Sequence, residues 1–474
     1  MREAVELARN PRGAMIAPAG CGKTHVIATA VAKYGGGREL ILTHTHAGVD
    51  ALRGRLARMG VPAKAYHLDT IAGWALHLAT AFPSTSRLPT TKPRTNEEYS
   101  GVYVAAAHLL GLRPIREIIR ASYSGTFIDE YQDCTVAQHG LTLSLLGVLP
   151  CRIVGDPLQG IFDFGDNEAI RWDKHVSSAF DPVAGPTKPW RWADTNPALG
   201  EWLHAVRECL ETRREIDLRG APVQWVDGSD PTTKAMRQRM ACFDAAKDEA
   251  ESVVAIHQWP NQCHVVARGL KGKFSCVEAI DTKDLYEAAC AIDGSSGNGR
   301  AVVVLDFAGK CMTKMNTLEV IRGALEIGRS PNVRKNVEVA QALLAVAQED
   351  SLAAIAPALQ VLGRVEHAVV YRRELLHEMQ KAIHAVMAGE AASLEEAVWI
   401  VRNRSRRLRR IMPRCAVSTT LLVKGLEFHH AVVLDADAYD AKNLYVALTR
   451  GSKSLTVVSR EMVIRPKAGA AADS

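Results

Sequence analysis

Ala17-Pro-Ala-Gly-Cys-Gly-Lys-Thr24 is the stretch whose reading decides the fold. A short apolar run, residues 14–17, precedes it, and a helical pattern starts at Lys23. Strand, glycine-bearing loop and helix in that order make a cradle for phosphate. Small residues let backbone N–H groups point inward, and a lysine and a hydroxyl follow. Ala19, Gly20, Cys21 and Gly22 supply the loop; Lys23 is placed for the β- and γ-phosphates and Thr24 for Mg²⁺. The first loop position is Ala17 rather than glycine, and a pattern relaxed in this way arises by chance in roughly a few per cent of chains of this length. Alone, the string says only that a nucleoside triphosphate binds.

Phe127-Ile-Asp-Glu-Tyr-Gln-Asp133 makes the site hydrolytic. An apolar strand ending in Asp-Glu puts one carboxylate beside the metal and a second near the γ-phosphate. Asp129 is then the Mg²⁺ partner and Glu130 the base that orients and activates the attacking water. Acidic pairs at strand ends are common as solvated turns; following a phosphate loop by about a hundred residues, the pair reads as chemistry.

The rest of the composition narrows the class. The chain has 474 residues, length for about three domains. Its 47% hydrophobic and 23% charged content is that of a globular protein and excludes collagen, coiled coil and disorder. No apolar run reaches the ~18 residues of a membrane span. The N-terminal MREAVELARNPRG is too polar for a signal peptide, so the expected location is cytoplasmic. Ten cysteines lie scattered without CxxC pairs or neighbouring histidines and indicate neither zinc nor disulfides. The net charge of +6 is compatible with nucleic acid but does not require it.

Apolar β-rich runs recur between helical stretches at residues 14–17, 40–43, 126–129, 152–155, 223–226, 264–267, 301–305, 431–434 and 455–458. Short buried strands alternating with helices predict parallel α/β sheets. Two mainly helical stretches break the rhythm, residues 61–124 with a Pro/Thr/Ser-rich loop at 83–95, and residues 307–413. The expected architecture is two α/β cores, each carrying a helical insertion.

Together these strings resemble the motifs of the UvrD-like branch of superfamily I helicases, and the remaining motifs follow in order. Arg152-Ile-Val-Gly-Asp-Pro-Leu-Gln-Gly-Ile-Phe162 is similar to the third, Pro189-Trp-Arg-Trp192 to the fourth, Leu422-Val-Lys-Gly-Leu-Glu-Phe428 to the fifth and Tyr445-Val-Ala-Leu-Thr-Arg450 to the sixth. The resemblance implies that Gln159 senses the γ-phosphate, Arg191 contacts it, Gly425 and Glu427 approach phosphate and ribose, and Arg450 is an arginine finger. A guanidinium on the transferring phosphoryl group accelerates hydrolysis by ~10³–10⁵. The implied fold is α/β, two RecA-like parallel-sheet P-loop cores in tandem. Residues 1–60 and 125–186 form the first core and 61–124 its helical insertion; 187–306 and 414–474 form the second, with a reduced insertion at 307–413. Both arginines then come from the second core.

The same resemblance implies a track for a single strand. Leu42-Thr-His-Thr-His46 is similar to the family's Thr-Phe-Thr-Asn segment, with Thr43 and Thr45 on phosphate and His44 in place of the stacking Phe. Residues 66–74 resemble the neighbouring segment, with Thr70 as a phosphate contact. Phe162 and Phe164 stand where a Tyr and a Trp stack on bases, and Gly165 stands where an Arg is expected. Seven arginines within residues 402–414 repel one another unless they face phosphate or an acidic partner.

Three departures matter. No Gln occurs in residues 1–22, where the family has one that reads adenine; either the chain starts late or adenine selectivity is relaxed. Only 24 residues follow Arg450, and residues 269–418 are fewer than the large insertion of repair helicases. This compactness resembles the UvrD-like subunit of Gabija-type anti-phage defence systems, which works beside an OLD-family nuclease. The expected function is an ATP-dependent DNA helicase or translocase, moving 3′→5′ on single-stranded or partly duplex DNA, in defence or repair. The alternative is a nucleic-acid-sensing ATPase that regulates a partner nuclease and unwinds little. A small-molecule P-loop kinase explains neither Glu427 nor Arg450.

Overall fold

The computed structural model describes residues 2–91, 93, 95–162, 168–279, 283–349, 351–407 and 412–467, without the side chains of 403, 406 and 407. Two compact units divide the chain. The first takes the described residues of Met1–Ile216, Asp440–Lys453 and Arg465–Ser474, the second Asp217–Tyr439 and Ser454–Ile464. Residues 187–216 and 440–453, expected in the second core, fall within the first unit.

The first unit is built on six strands: β1 (Gly13–Ile16), β2 (Glu39–Thr43), β3 (Tyr66–Thr70), β4 (Gly125–Ile128), β5 (Cys151–Gly155) and β6 (Asp181–Val183). Their order is β3-β2-β4-β5-β1-β6, and every ladder is parallel. Side chains alternate between the faces, as the period of two in a strand requires. Ala14, Leu40, Leu42, Ile128 and Ile153 join one core with Ile71, Val102, Leu109 and Leu141. Met15, Ile41, Phe127 and Val154 join the other with α1 (Arg2–Arg9), α2 (Lys23–Tyr34) and α3 (His46–Arg58). Both faces are covered, which is why these strands read as short continuous apolar runs. Residues 66–70, which the sequence reading put in the helical stretch, form the β3 edge strand; helices follow from α4 (Ile71–Ala81) to Ser122.

The second unit holds another six-stranded sheet, ordered Ser275–Cys276, Cys415–Ser418, Val253–Ile256, Phe428–Val433, Gly451–Ser459 and Gln224–Asp227, of which residues 454–459 of the fifth strand belong to this unit. Its described registers are parallel. Beside it, helices from Lys283 to Arg407 close on a core of their own that includes Leu305, Phe307, Leu343, Leu359, Met379 and Val398.

Two strands expected from sequence are helices. Residues 264–267 lie inside the Pro260–Gly269 helix, whose first-turn proline is a helix-start signal that outweighs the short apolar run. Residues 301–305 lie inside the Gly297–Cys311 helix, where Ala301, Val304, Leu305 and Ala308 follow helical spacing into the helical core. The helical body accordingly starts before residue 307. Among the described residues, no helix is long and apolar enough to cross a membrane.

Candidate nucleotide site of the first unit

Parallel strands align their C-terminal ends, and ligands of open α/β sheets bind beyond that edge. Here β4, β5 and β1 are neighbours, so the segments that follow them meet. After β1, the Ala17 N–H continues the ladder onto the Gly155 carbonyl at 3.0 Å before the chain turns. Gly20 at φ 71° and Gly22 at φ 92° turn it through the left-handed region, which only glycine enters freely, and α2 begins at Lys23. The Lys23 Nζ donates back across the loop to the Ala17 carbonyl at 3.2 Å. Thr24 lies in the first turn of α2.

After β4 come Asp129, buried, and Glu130, half-buried. Glu130 is held at φ 53°, an unfavourable conformation for a side-chain-bearing residue. Its amide donates to Asp129 Oδ1 at 2.9 Å, and its Oε2 accepts from Gln132 Nε2 at 2.6 Å. Burial first, then the negative charge of Glu130, pushes the Asp129 carboxyl well above the usual carboxylate range, while Lys23 acts in the opposite direction. After β5, the buried Asp156 amide donates to Gln132 Oε1 at 2.8 Å, tying the third segment to the second. Gln159 Nε2 donates to Asp156 Oδ2 at 2.7 Å.

Arg191 and Arg450 join the same group. The Arg191 amide donates to the Gly20 carbonyl at 3.1 Å, and its Nη1 to the Thr449 carbonyl at 2.6 Å. Arg450 follows the Ala441–Leu448 helix and is 1% exposed. It donates from Nε to Val446 O at 2.8 Å, and from Nη2 to Thr449 Oγ1 at 2.8 Å and Gln159 Oε1 at 3.4 Å. Lys23, Asp129, Glu130, Gln159, Arg191 and Arg450 thus lie around one loop.

Trp190 went unread in the sequence. Its indole is 57% exposed, carries Lys188 Nζ 3.8 Å from the ring centre, and lies beside Gly22. An exposed aromatic next to a glycine loop is its structural signal; the sequence offered only a Trp beside an Arg.

Thr24 and Asp129 offer two hard oxygen donors of the kind Mg²⁺ takes. A buried carboxylate crowded by a second one is also stabilised by a divalent cation, so this pair fits the ion.

The residues that the sequence offered for a single strand lie at the same end of the sheet, further along. Thr43 and Thr70 end the paired strands β2 and β3. Thr45 caps α3 by accepting from Gly48 N at 3.1 Å, and Thr70 caps α4 by accepting from Gly73 N at 2.9 Å. Two helix N-termini thereby sit side by side, each with N–H groups suited to phosphate. Thr43 itself is fully buried against Gly48. His44 and Phe162 meet edge to face, ring centres 5.2 Å apart. Phe164 and Gly165 lie outside the described residues.

Gly425 and Glu427 belong to the second unit, between the Thr420–Val423 helix and the Phe428–Val433 strand; Gly425 has φ 76°. Of the arginine run, Arg404 pairs with Glu390 at 2.7 Å and Arg414 donates to the Asp248 and Glu251 carbonyls, while Arg409 and Arg410 lie outside the described residues. Also in this unit, His264, Cys276 and Glu278 place ligand-capable atoms within 4.8 Å of one another. Glu278, however, is gripped by both Nε and Nη2 of the buried Arg372 at 2.7 and 2.8 Å, which makes the group an ion-pair cluster.

No family model matches the chain, and no curated protein does. Among solved structures it is similar to arterivirus nonstructural protein 10, a helicase in complex with DNA. That likeness covers 54% of this chain and 49% of the viral one, at 12% identity and a TM-score of 0.28. The chain spans about half of that protein's length. A likeness this slight has no weight for function.

Proposed function

We propose that this protein is an ATP-driven motor of superfamily I, UvrD-like, that moves along single-stranded DNA. The observation that carries the reading is the meeting of a glycine-turned phosphate loop, an Asp-Glu pair, Gln159 and two arginines within one compact unit. A lone phosphate loop fits any nucleotide-binding protein. Two guanidinium groups beside it fit one that stabilises charge on a transferring phosphoryl group.

In this reading Ala19, Gly20, Cys21, Gly22 and Lys23 hold the phosphates of ATP, and Trp190 offers its exposed face to the base. Thr24 and Asp129 would hold Mg²⁺, which supplies charge neutralisation on the phosphate oxygens. Glu130 takes a proton from water as the new O–P bond forms and the bond to the departing ADP breaks. Arg191 and Arg450 stabilise the charge that develops, and Gln159, bonded to Arg450, connects the γ-phosphate to the strand track. The paired helix N-termini at Thr45 and Thr70 and the His44–Phe162 pair support phosphate and base contacts, respectively. From the resemblance come the finer parts: the 3′→5′ direction, the RecA-like cores with helical insertions, and roles for Gly425 and Glu427.

The test is ATP turnover with and without single-stranded DNA. A motor turns over faster on DNA. Turnover that ignores saturating DNA would refute the motor reading while leaving the nucleotide site standing.

A further inference from the structure

Arg207 belongs to none of the motif strings. It lies in the Pro197–Glu211 helix with its side chain 8% exposed, and it points at Asp156, which is 0% exposed. Its Nη1 donates to Asp156 Oδ1 at 2.7 Å and to the Tyr445 hydroxyl at 3.3 Å. Its Nη2 pairs with Glu211 at 2.9 Å, and the guanidinium lies 5.5 Å from the centre of the Tyr445 ring. The two partners lead to different segments of the candidate site. The Tyr445 hydroxyl accepts from the Ala19 amide at 3.2 Å, inside the phosphate loop. Asp156 accepts from Gln159 Nε2 at 2.7 Å, which leaves the Gln159 carbonyl oxygen directed to Arg450.

The physics of the group points one way. A fully buried carboxylate needs a counter-charge, and Arg207 supplies it. A tyrosine hydroxyl has acceptor capacity for two donors; the Ala19 amide and Arg207 both use it, which fixes where the oxygen sits. The planar fork reaches carboxylate and hydroxyl together, which a lysine's point charge does not.

We infer that Arg207 is a positioning residue of the nucleotide site, setting the Gln159 amide through Asp156 and the phosphate loop at Ala19 through Tyr445. The inference rests on the ATPase reading above for its consequence, though not for its geometry. Its bonds run to Asp156, Tyr445 and Glu211, and it acts through the first two.

The test uses the full chain with Arg207→Lys, Arg207→Met, Tyr445→Phe and the Met/Phe double variant. The first readout is hydrogen exchange of the Ala19 amide without nucleotide. Both Arg207→Met and Tyr445→Phe should speed it roughly tenfold, and the double variant should be no faster than the faster single, the mark of one shared pathway. Arg207→Lys keeps the counter-charge, so it should hold the wild-type melting temperature yet still release Ala19; a purely structural arginine would be rescued in both. The second readout is turnover: Arg207→Lys should lower kcat at saturating ATP.

Wild-type Ala19 exchange and wild-type kcat in Arg207→Lys would overturn the inference. Should Arg207→Met fail to fold, Tyr445→Phe, which removes one oxygen, must release Ala19 on its own, and protection unchanged there overturns it equally. If the wild type hydrolyses no ATP while Ala19 exchange still depends on Arg207, the ATPase reading falls and the positioning stands.

Discussion

The ring of Trp192 packs so closely on Gly20 that a Cβ at Gly20 would lie 2.4 Å from it. Trp192 is itself pinned, its Nε1 donating to the Gly451 carbonyl at 2.7 Å. The phosphate loop is therefore shaped from outside, by segment 189–192, as well as by its own backbone. Gly20→Ala meets two penalties, the clash and a left-handed φ of 71°, worth about 1–2 kcal/mol for a residue with a Cβ. We expect a lower melting temperature and ATP affinity reduced by at least about tenfold, read by calorimetric titration. An alanine variant that binds ATP like the wild type would show that the loop is not held in this shape.

Trp190 sits on the same segment, with Lys188 over its ring and more than half of its surface open. If it stacks on the base, Trp190→Ala should raise KM for ATP roughly tenfold, the upper end of an aromatic contact, with kcat nearly unchanged. Trp190→Tyr should restore most of it. An unmoved KM would leave Trp190 with no part in binding the base.

Arg372 is buried with Glu278 and also holds Asp284 at 2.7 Å. Removing one partner of such a pair leaves an uncompensated charge and typically costs about 3–5 kcal/mol. Arg372→Met should lower the unfolding midpoint accordingly, and Glu278→Gln added to it should recover part of the loss. A single variant as stable as the wild type would contradict the ion-pair reading of this cluster.

His257 gives stability a pH dependence of known sign. Burial lowers its pKa from 6.5 to about 4, and its Nδ1 accepts from the Trp259 amide at 3.1 Å, which requires the neutral ring. The folded pKa lies below the unfolded one, so the contribution is complete above pH 6.5 and is lost as pH falls toward about 4. The loss amounts to about 3 kcal/mol. His257→Gln, which still accepts and does not titrate, should flatten stability across that window; an unchanged slope would show that another group sets it.

The sequence pointed to a candidate site more directly than to the architecture. The sequence offered Lys23, Asp129, Glu130, Gln159, Arg191 and Arg450 as candidates; the first four follow β1, β4 and β5, neighbouring strands whose ends parallel pairing aligns, while their roles rest on the proposal above. Residues 264–267 and 301–305 misread as strands because a four- or five-residue apolar run has no period of its own; only packing decides it. The strand 253–256, central to its sheet, was missed although its four residues are all apolar. Arg207 and Trp190 left no trace, one being an arginine inside an ordinary helix, the other an aromatic whose exposure is visible only after folding. That residues 191–196 are tied to residues 449–453 was not legible either. The bonds that tie residues 191–196 to 449–453 are largely to backbone carbonyls, which carry no sequence signature.

The most direct measurement is steady-state ATP turnover of Glu130→Gln against the wild type on saturating single-stranded DNA. The amide keeps the size of the side chain and removes the base. Turnover should fall by about 10²–10⁴ while nucleotide affinity stays within a few-fold. A Glu130→Gln protein that hydrolyses ATP at the wild-type rate would contradict the assignment of this loop and its carboxylates as a hydrolytic site.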